Sequence, residues 1–205
     1  MSKLRNKLKT AYFYFRGKAV AKRMYEDKYL KTSYFSHPSS VGWALAIYDW
    51  HARKTTGKNK NVPWPVCPGT DVPHPENIIF APEDLRVFFG SGIYFQGIDA
   101  KTIIGHNVWI AKNVGLITCN HDLHDPSKHM PAKEIILGDN CWIGMNAMIM
   151  PGVELGPHTV VGAGAVVTKS FPEGHCVIAG NPAKLIRKIE EINDGQNRQI
   201  HCQCE

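Results

Sequence analysis

From Ile98 onward the apolar positions recur with a spacing of six: Ile98, Ile104, Ile110 and Leu116, then Leu137, Ile143, Ile149, Leu155, Val161 and Val167. A small or β-branched residue follows four positions after most anchors: Val108, Val114, Cys141, Ala147, Val153, Thr159 and Ala165. Glycine often comes directly after the anchor, at Gly105, Gly138, Gly144, Gly156 and Gly162. A helix repeats every 3.6 residues and an ordinary strand every two, so neither gives this pattern. A six-residue period predicts a solenoid with three short strands per coil. The anchor points inward, and Gly, Asn or Asp takes the backbone angles of each corner.

Upstream the pattern is different. Between Ser2 and Tyr34, Leu4, Leu8, Ala11, Phe15, Ala19 and Met24 fall near helical spacing with Lys and Arg between them. Two readings stay open for this segment: a helix packed on its own domain or a neighbouring subunit, or a basic amphipathic helix lying on a membrane. Val41–His51 reads as a second helix or a strand, and Lys54–Asn61 as an exposed basic loop. Pro63, Pro65 and Pro68 forbid helix and mark an extended entry to the coils. At the far end, Leu185, Ile186 and Ile189 predict a short helix capping the open solenoid, followed by a polar tail. The expected organisation is a basic, largely helical extension at 1–62, a β-helix at 63–182 with a loop insertion at 121–134, and a helix with a tail at 183–205.

Composition adds limits. The chain has 205 residues, 43% of them hydrophobic, and a formal net charge of +6. That excludes global disorder and suits anionic partners without choosing among them. No apolar run is long enough to cross a bilayer, and the basic start leads into no signal-peptide core, so a cytoplasmic protein is expected. Cys67, Cys119, Cys141 and Cys176 are far apart in apolar contexts and read as reduced thiols. His201, Cys202 and Cys204 supply too few donors for a metal clip, and no metal is expected.

The hexapeptide register breaks between His121 and Glu134. The expelled segment is polar and rich in histidine (His121, His124, His129). A histidine where a rigid coil becomes a loop suits a general base, since a hydroxyl is a poor nucleophile until a neighbour takes its proton. The residue alone leaves a structural histidine equally open. A binding site beside His121 would draw on Tyr94, Gln96 and Asp99 from the preceding coil, with His124 as a further contact.

The run Leu137-Gly-Asp-Asn-Cys-Trp-Ile-Gly-Met-Asn-Ala-Met-Ile-Met-Pro-Gly-Val-Glu-Leu-Gly resembles the hexapeptide-repeat acyltransferases. So do Val161-Gly-Ala-Gly-Ala-Val-Val-Thr-Lys and Ala179-Gly-Asn-Pro-Ala-Lys. The nearest branch is the maltose and galactoside O-acetyltransferases and the O-acetyltransferases of capsules and O-antigens. The resemblance covers roughly residues 78–190. It implies an all-β solenoid wound as a left-handed parallel β-helix, assembled as a homotrimer with its site between subunits. It also implies acetyl-CoA as donor, a sugar acceptor in bacterial surface polysaccharide synthesis, and no nucleic acid. Thr118-Cys-Asn-His121 matches the family's context for its base.

The resemblance places Trp142, Gly144 and Met145 near the thioester, and Ala163, Thr168 and Lys169 along the pantetheine arm. Lys184 and Arg187 would face the phosphates. A backbone N–H near Gly144 is a candidate oxyanion donor. Coil geometry alone also accounts for the glycines, and surface solvation for Lys169 and Arg187. The relatives usually carry an asparagine near Gln96, and this departure leaves the acceptor open. The zinc-binding γ-type carbonic anhydrases share the coil, but their histidine spacing is not reproduced. An amino-sugar N-acetyltransferase and a non-catalytic membrane- or partner-binding repeat protein remain as rivals.

Overall fold

Every repeat anchor from Ile104 to Val167 is buried, none more than 8% exposed, in the computed structural model, which describes residues 2–190. The residues four positions later are buried with them, from Val108 to Ala165. From β2 to β11 the strands are two or three residues long and fall in rotation on three sheets. The first sheet holds β1 (Ile78–Ile79), β3 (Thr102–Ile104), β6 (Ile135–Leu137) and β9 (Glu154–Leu155). The second holds β4 (Trp109–Ile110), β7 (Trp142–Ile143), β10 (Thr159–Val161), β12 (Cys176–Gly180) and β13 (Ala183–Lys188). The third holds β2 (Tyr94–Phe95), β5 (Gly115–Leu116), β8 (Met148–Ile149) and β11 (Val166–Val167). All pairings but the last, β12 with β13, are parallel. Anchor stacks on anchor: Ile110 on Ile143, Ile143 on Val161, Val161 on Ile178. Each buried aliphatic side chain contributes roughly 1.5–3 kcal/mol by leaving water.

The corners explain the Asn and His residues. Asn107, Asn140, His158 and His175 lead into successive strands of the second sheet, and all have positive φ. Asn tolerates that backbone because its short side chain bonds locally. Here the Asn107 amide donates to Asn140 Oδ1 at 2.8 Å, tying one corner to the next.

The chain end departs from expectation. Ala183–Lys188 is a strand, not a capping helix, and pairs antiparallel with β12, Gly180 opposite Ala183 and Val177 opposite Arg187. Strand β12 would otherwise close the stack with an open edge, and β13 satisfies its backbone groups where a helix would not. Ile189, also expected in that helix, follows the strand with its N–H donating to the His175 carbonyl at 2.7 Å. Residues 191–205, with the polar tail and the His201/Cys202/Cys204 group, lie outside the described residues.

At the other end, α1 (Ser2–Met24) and α2 (Asp27–Leu30) precede α3 (Val41–Thr56). The ambiguous Val41 segment is therefore a helix. It runs into the stretch expected as loop and stops at Gly57, whose φ of 75° lets its N–H cap the Arg53 carbonyl. Helix α1 packs on α3 at Gly17, where any Cβ would collide with the Trp43 backbone. Ala21, Tyr25, Tyr29, Phe35 and Trp43 belong to the same hydrophobic cluster as the coil anchors. Asp49 and Arg53, both buried, pair within α3 and reach the segment entering the coils.

Cys141 sits inside the prism, its thiol donating to the Gly156 carbonyl at 3.3 Å. Burial pushes the thiol up from 9.0 to about 11. Between those values the unfolded chain ionises first, so this thiol's contribution is complete below pH 9 and is lost as pH rises towards 11. The loss is on the order of 2–3 kcal/mol. We expect the stability advantage of the wild type over Cys141→Ala, read from urea midpoints, to shrink by that amount across this window. A constant difference would contradict the assignment.

Candidate functional site

His121 leaves the coil three residues after a residue that anchors the strand's exit. The Thr118 hydroxyl donates to the Ile98 carbonyl at 3.0 Å, and the Cys119 N–H donates to Gln96 Oε1 at 2.8 Å. The insertion then folds back on itself. Met130 N–H meets the Asn120 carbonyl and Lys133 N–H the Thr118 carbonyl, both at 2.8 Å, and His121 bridges antiparallel to His129. At the tip, Asp122 Oδ1 accepts from the N–H groups of His124 (2.8 Å) and Asp125 (3.0 Å). Asp125 accepts the Ser127 hydroxyl at 2.6 Å and an ion pair from Lys128 at 3.0 Å, which hold its carboxyl below the usual range. The loop is thus a braced hairpin. The His121 imidazole is exposed and lies 4.7 Å from the His129 ring, centroid to centroid. An exposed imidazole on a fixed backbone can accept a proton from a hydroxyl brought against it.

The acceptor candidates divide. Tyr94 is exposed on β2, in line with Gly115, Met148 and Val166 on the outer face of the third sheet. Gln96 is engaged in holding the backbone two residues before His121. Asp99 is a corner residue with φ of 50°. His124 is exposed at the hairpin tip. The brace formed by Gln96, Cys119 and Asp122 escaped sequence reasoning, although an Asp two residues before an N–H donor is a recognisable turn signal.

The donor candidates divide between two edges of the third sheet and the face of the second. Met145 and Ala163 stand on successive corners leading into β8 and β11, joined by the Gly164 N–H to the Met145 carbonyl at 2.8 Å. Thr168 and Lys169 are exposed at the other edge, after β11, on the side from which His121 departs two coils earlier. Trp142 is exposed on the second sheet, in a file Trp109, Trp142, Val160, Val177 and Arg187 set by strand register. Lys184 and Arg187 are exposed on β13. The Gly144 N–H itself donates to the Val161 carbonyl at 2.8 Å, so an oxyanion donor near it would be a neighbouring N–H. A Cβ there would stand 2.6 Å from Ala163 N, so this glycine serves coil stacking. Among the described residues, no three His, Cys, Asp or Glu are grouped to hold a metal ion.

Residues 134–169 match the family described as bacterial transferase hexapeptide (six repeats). A galactoside O-acetyltransferase of Escherichia coli K12 is 42% identical over 99 residues, 47% of each chain. The chain spans about half the length of the curated relatives it matches. Among solved structures, a maltose O-acetyltransferase from Clostridium difficile 630 shares 40% identity over 48% of this chain and 54% of its own, with a TM-score of 0.44. A galactoside acetyltransferase in complex with coenzyme A shares 27% identity over 88% of this chain and 82% of its own, with a TM-score of 0.46.

Proposed function

We propose that this chain transfers an acetyl group from acetyl-CoA to a hydroxyl of a sugar, with His121 as general base. The observation that carries this reading is the exposed His121, its backbone held at the coil rim by Gln96, Thr118 and the hairpin. The hexapeptide match and the curated O-acetyltransferase relative support the reaction class. The acceptor hydroxyl oxygen attacks the thioester carbonyl carbon while His121 takes its proton. The tetrahedral intermediate collapses with expulsion of the CoA thiolate, which receives that proton from the imidazolium. No covalent enzyme intermediate is needed.

Left-handed winding and a cyclic trimer complete the reading. Within one chain His121 and the corner of Met145 and Ala163 stand on different edges of the third sheet. A neighbouring subunit supplying that corner would complete a groove for the pantetheine arm, with Lys184 and Arg187 towards the phosphates. The exposed apolar files of Trp109 with Trp142 and of Tyr94 with Met148 suit burial between subunits. A surface polysaccharide unit is the proposed acceptor class.

The test is thiol release from acetyl-CoA against a panel of hexoses, sialic acids and amino sugars, with products mapped by NMR. O-acetylated product is expected. Acetylation confined to amines would move the protein to amino-sugar N-acetylation. Absence of acceptor-dependent release across the panel would leave a non-catalytic repeat protein.

A further inference from the structure

Helix α1 is apolar on two faces. One face, with Gly17, Ala21 and Met24, packs inward against the body. The other carries Leu4, Leu8, Tyr12 and Phe15, between 54% and 70% exposed. At about 100° per residue these four form a stripe turned roughly opposite to the packed face. They therefore cannot be satisfied by the contact that holds the helix to α3.

Cations border the stripe on both sides. Lys7, Lys18 and Lys22 fall along one margin, and Arg5, Lys9, Arg16 and Arg23 along the other. Ser2–Met24 contains no Asp or Glu, in a chain whose net charge is +6. Lys18 and Lys22 also line a cleft of about 430 Å³ with Lys31, Asp27, Tyr14 and Trp43. Three ammonium groups against one carboxylate suit a phosphate, and the cleft opens beside the stripe.

We propose that α1 is a docking surface for an anionic lipid bilayer. Its stripe enters the headgroup–acyl boundary, its basic margins face the lipid phosphates, and one headgroup phosphate enters the Lys18/Lys22/Lys31 cleft. Charge decides between this occupant and a second copy of the helix. Stripe-to-stripe packing of two copies brings both basic margins together, whereas an anionic surface neutralises them. No described helix is long and apolar enough to cross a membrane, so the contact lies in the plane of the surface.

The test is flotation of the full chain with vesicles of equimolar phosphatidylglycerol and phosphatidylcholine, and with phosphatidylcholine alone. Binding to the anionic vesicles only is expected, falling as salt is raised. Leu8→Glu/Phe15→Glu should weaken it about tenfold or more, and Lys18→Glu/Lys22→Glu about as much. All four side chains stand at the surface or the cleft edge, so the melting temperature should hold. Lack of flotation, equal binding to both vesicle types, or a stripe variant that floats like the wild type would overturn the proposal. A stripe variant with altered mass by light scattering and unchanged flotation would assign the face to another copy of the chain.

Discussion

Replacing His121 by alanine is expected to lower kcat about 10²–10⁴-fold, the usual contribution of a positioned general base. CoA affinity should stay near the wild-type value, because the imidazole acts on the acceptor's proton and not on the donor's phosphates. The His121 backbone is fixed from both directions, by the Gln96 side chain through Cys119 and by the antiparallel return through His129. The side chain is exposed, so its removal leaves no cavity and the fold should be unchanged. Steady-state turnover, calorimetric CoA binding and circular dichroism separate the effects. His129→Ala removes the neighbouring ring but no reacting group, and its loss should be smaller, felt through the orientation of His121. Turnover near the wild-type level in folded His121→Ala would remove this residue from the mechanism and return the proton transfer to another group at the hairpin.

Much of the coil was legible because its period is a geometric property of the chain. One anchor per six residues, with a small partner four later, encodes three faces, and the burial of Ile143, Ala147, Ile149 and Val153 follows that rule. His121 was legible because the register fails there. The end of the stack was not: Leu185, Ile186 and Ile189 fit a helix locally, but the open edge of β12 recruits the segment as a strand. That is a tertiary demand no local pattern carries. The role of Gln96 was hidden for a similar reason, since its partner Cys119 is brought beside it only when one coil stacks on the next. The direction of the backbone near Gly144 was not legible either, because coil stacking, which commits the Gly144 N–H to Val161, decides which N–H groups remain.

Arg53→Met is expected to destabilise the fold by about 3–5 kcal/mol, a large share of the roughly 5–15 kcal/mol of a typical domain. Arg53 is 6% exposed and Asp49 1% exposed. Arg53 Nε and Nη2 donate to the Asp49 carboxylate at 2.8 and 2.7 Å, and Nη1 and Nη2 donate to the carbonyls of Val62 and Trp64 at 2.7 Å each. Asp49 Oδ2 also accepts from the Tyr25 hydroxyl at 2.7 Å and the Val66 N–H at 3.2 Å. One pair thereby ties the end of α1, helix α3 and the chain entering the coils. Methionine fills a similar volume but leaves a buried carboxylate without its counter-charge and two carbonyls without donors. Asp49→Asn on that background should restore part of the loss, since the amide removes the uncompensated charge while keeping an oxygen for Tyr25. Urea unfolding of the two variants measures both steps. A change under about 1 kcal/mol for Arg53→Met would mean that water reaches Asp49 and that the clamp is not closed in solution.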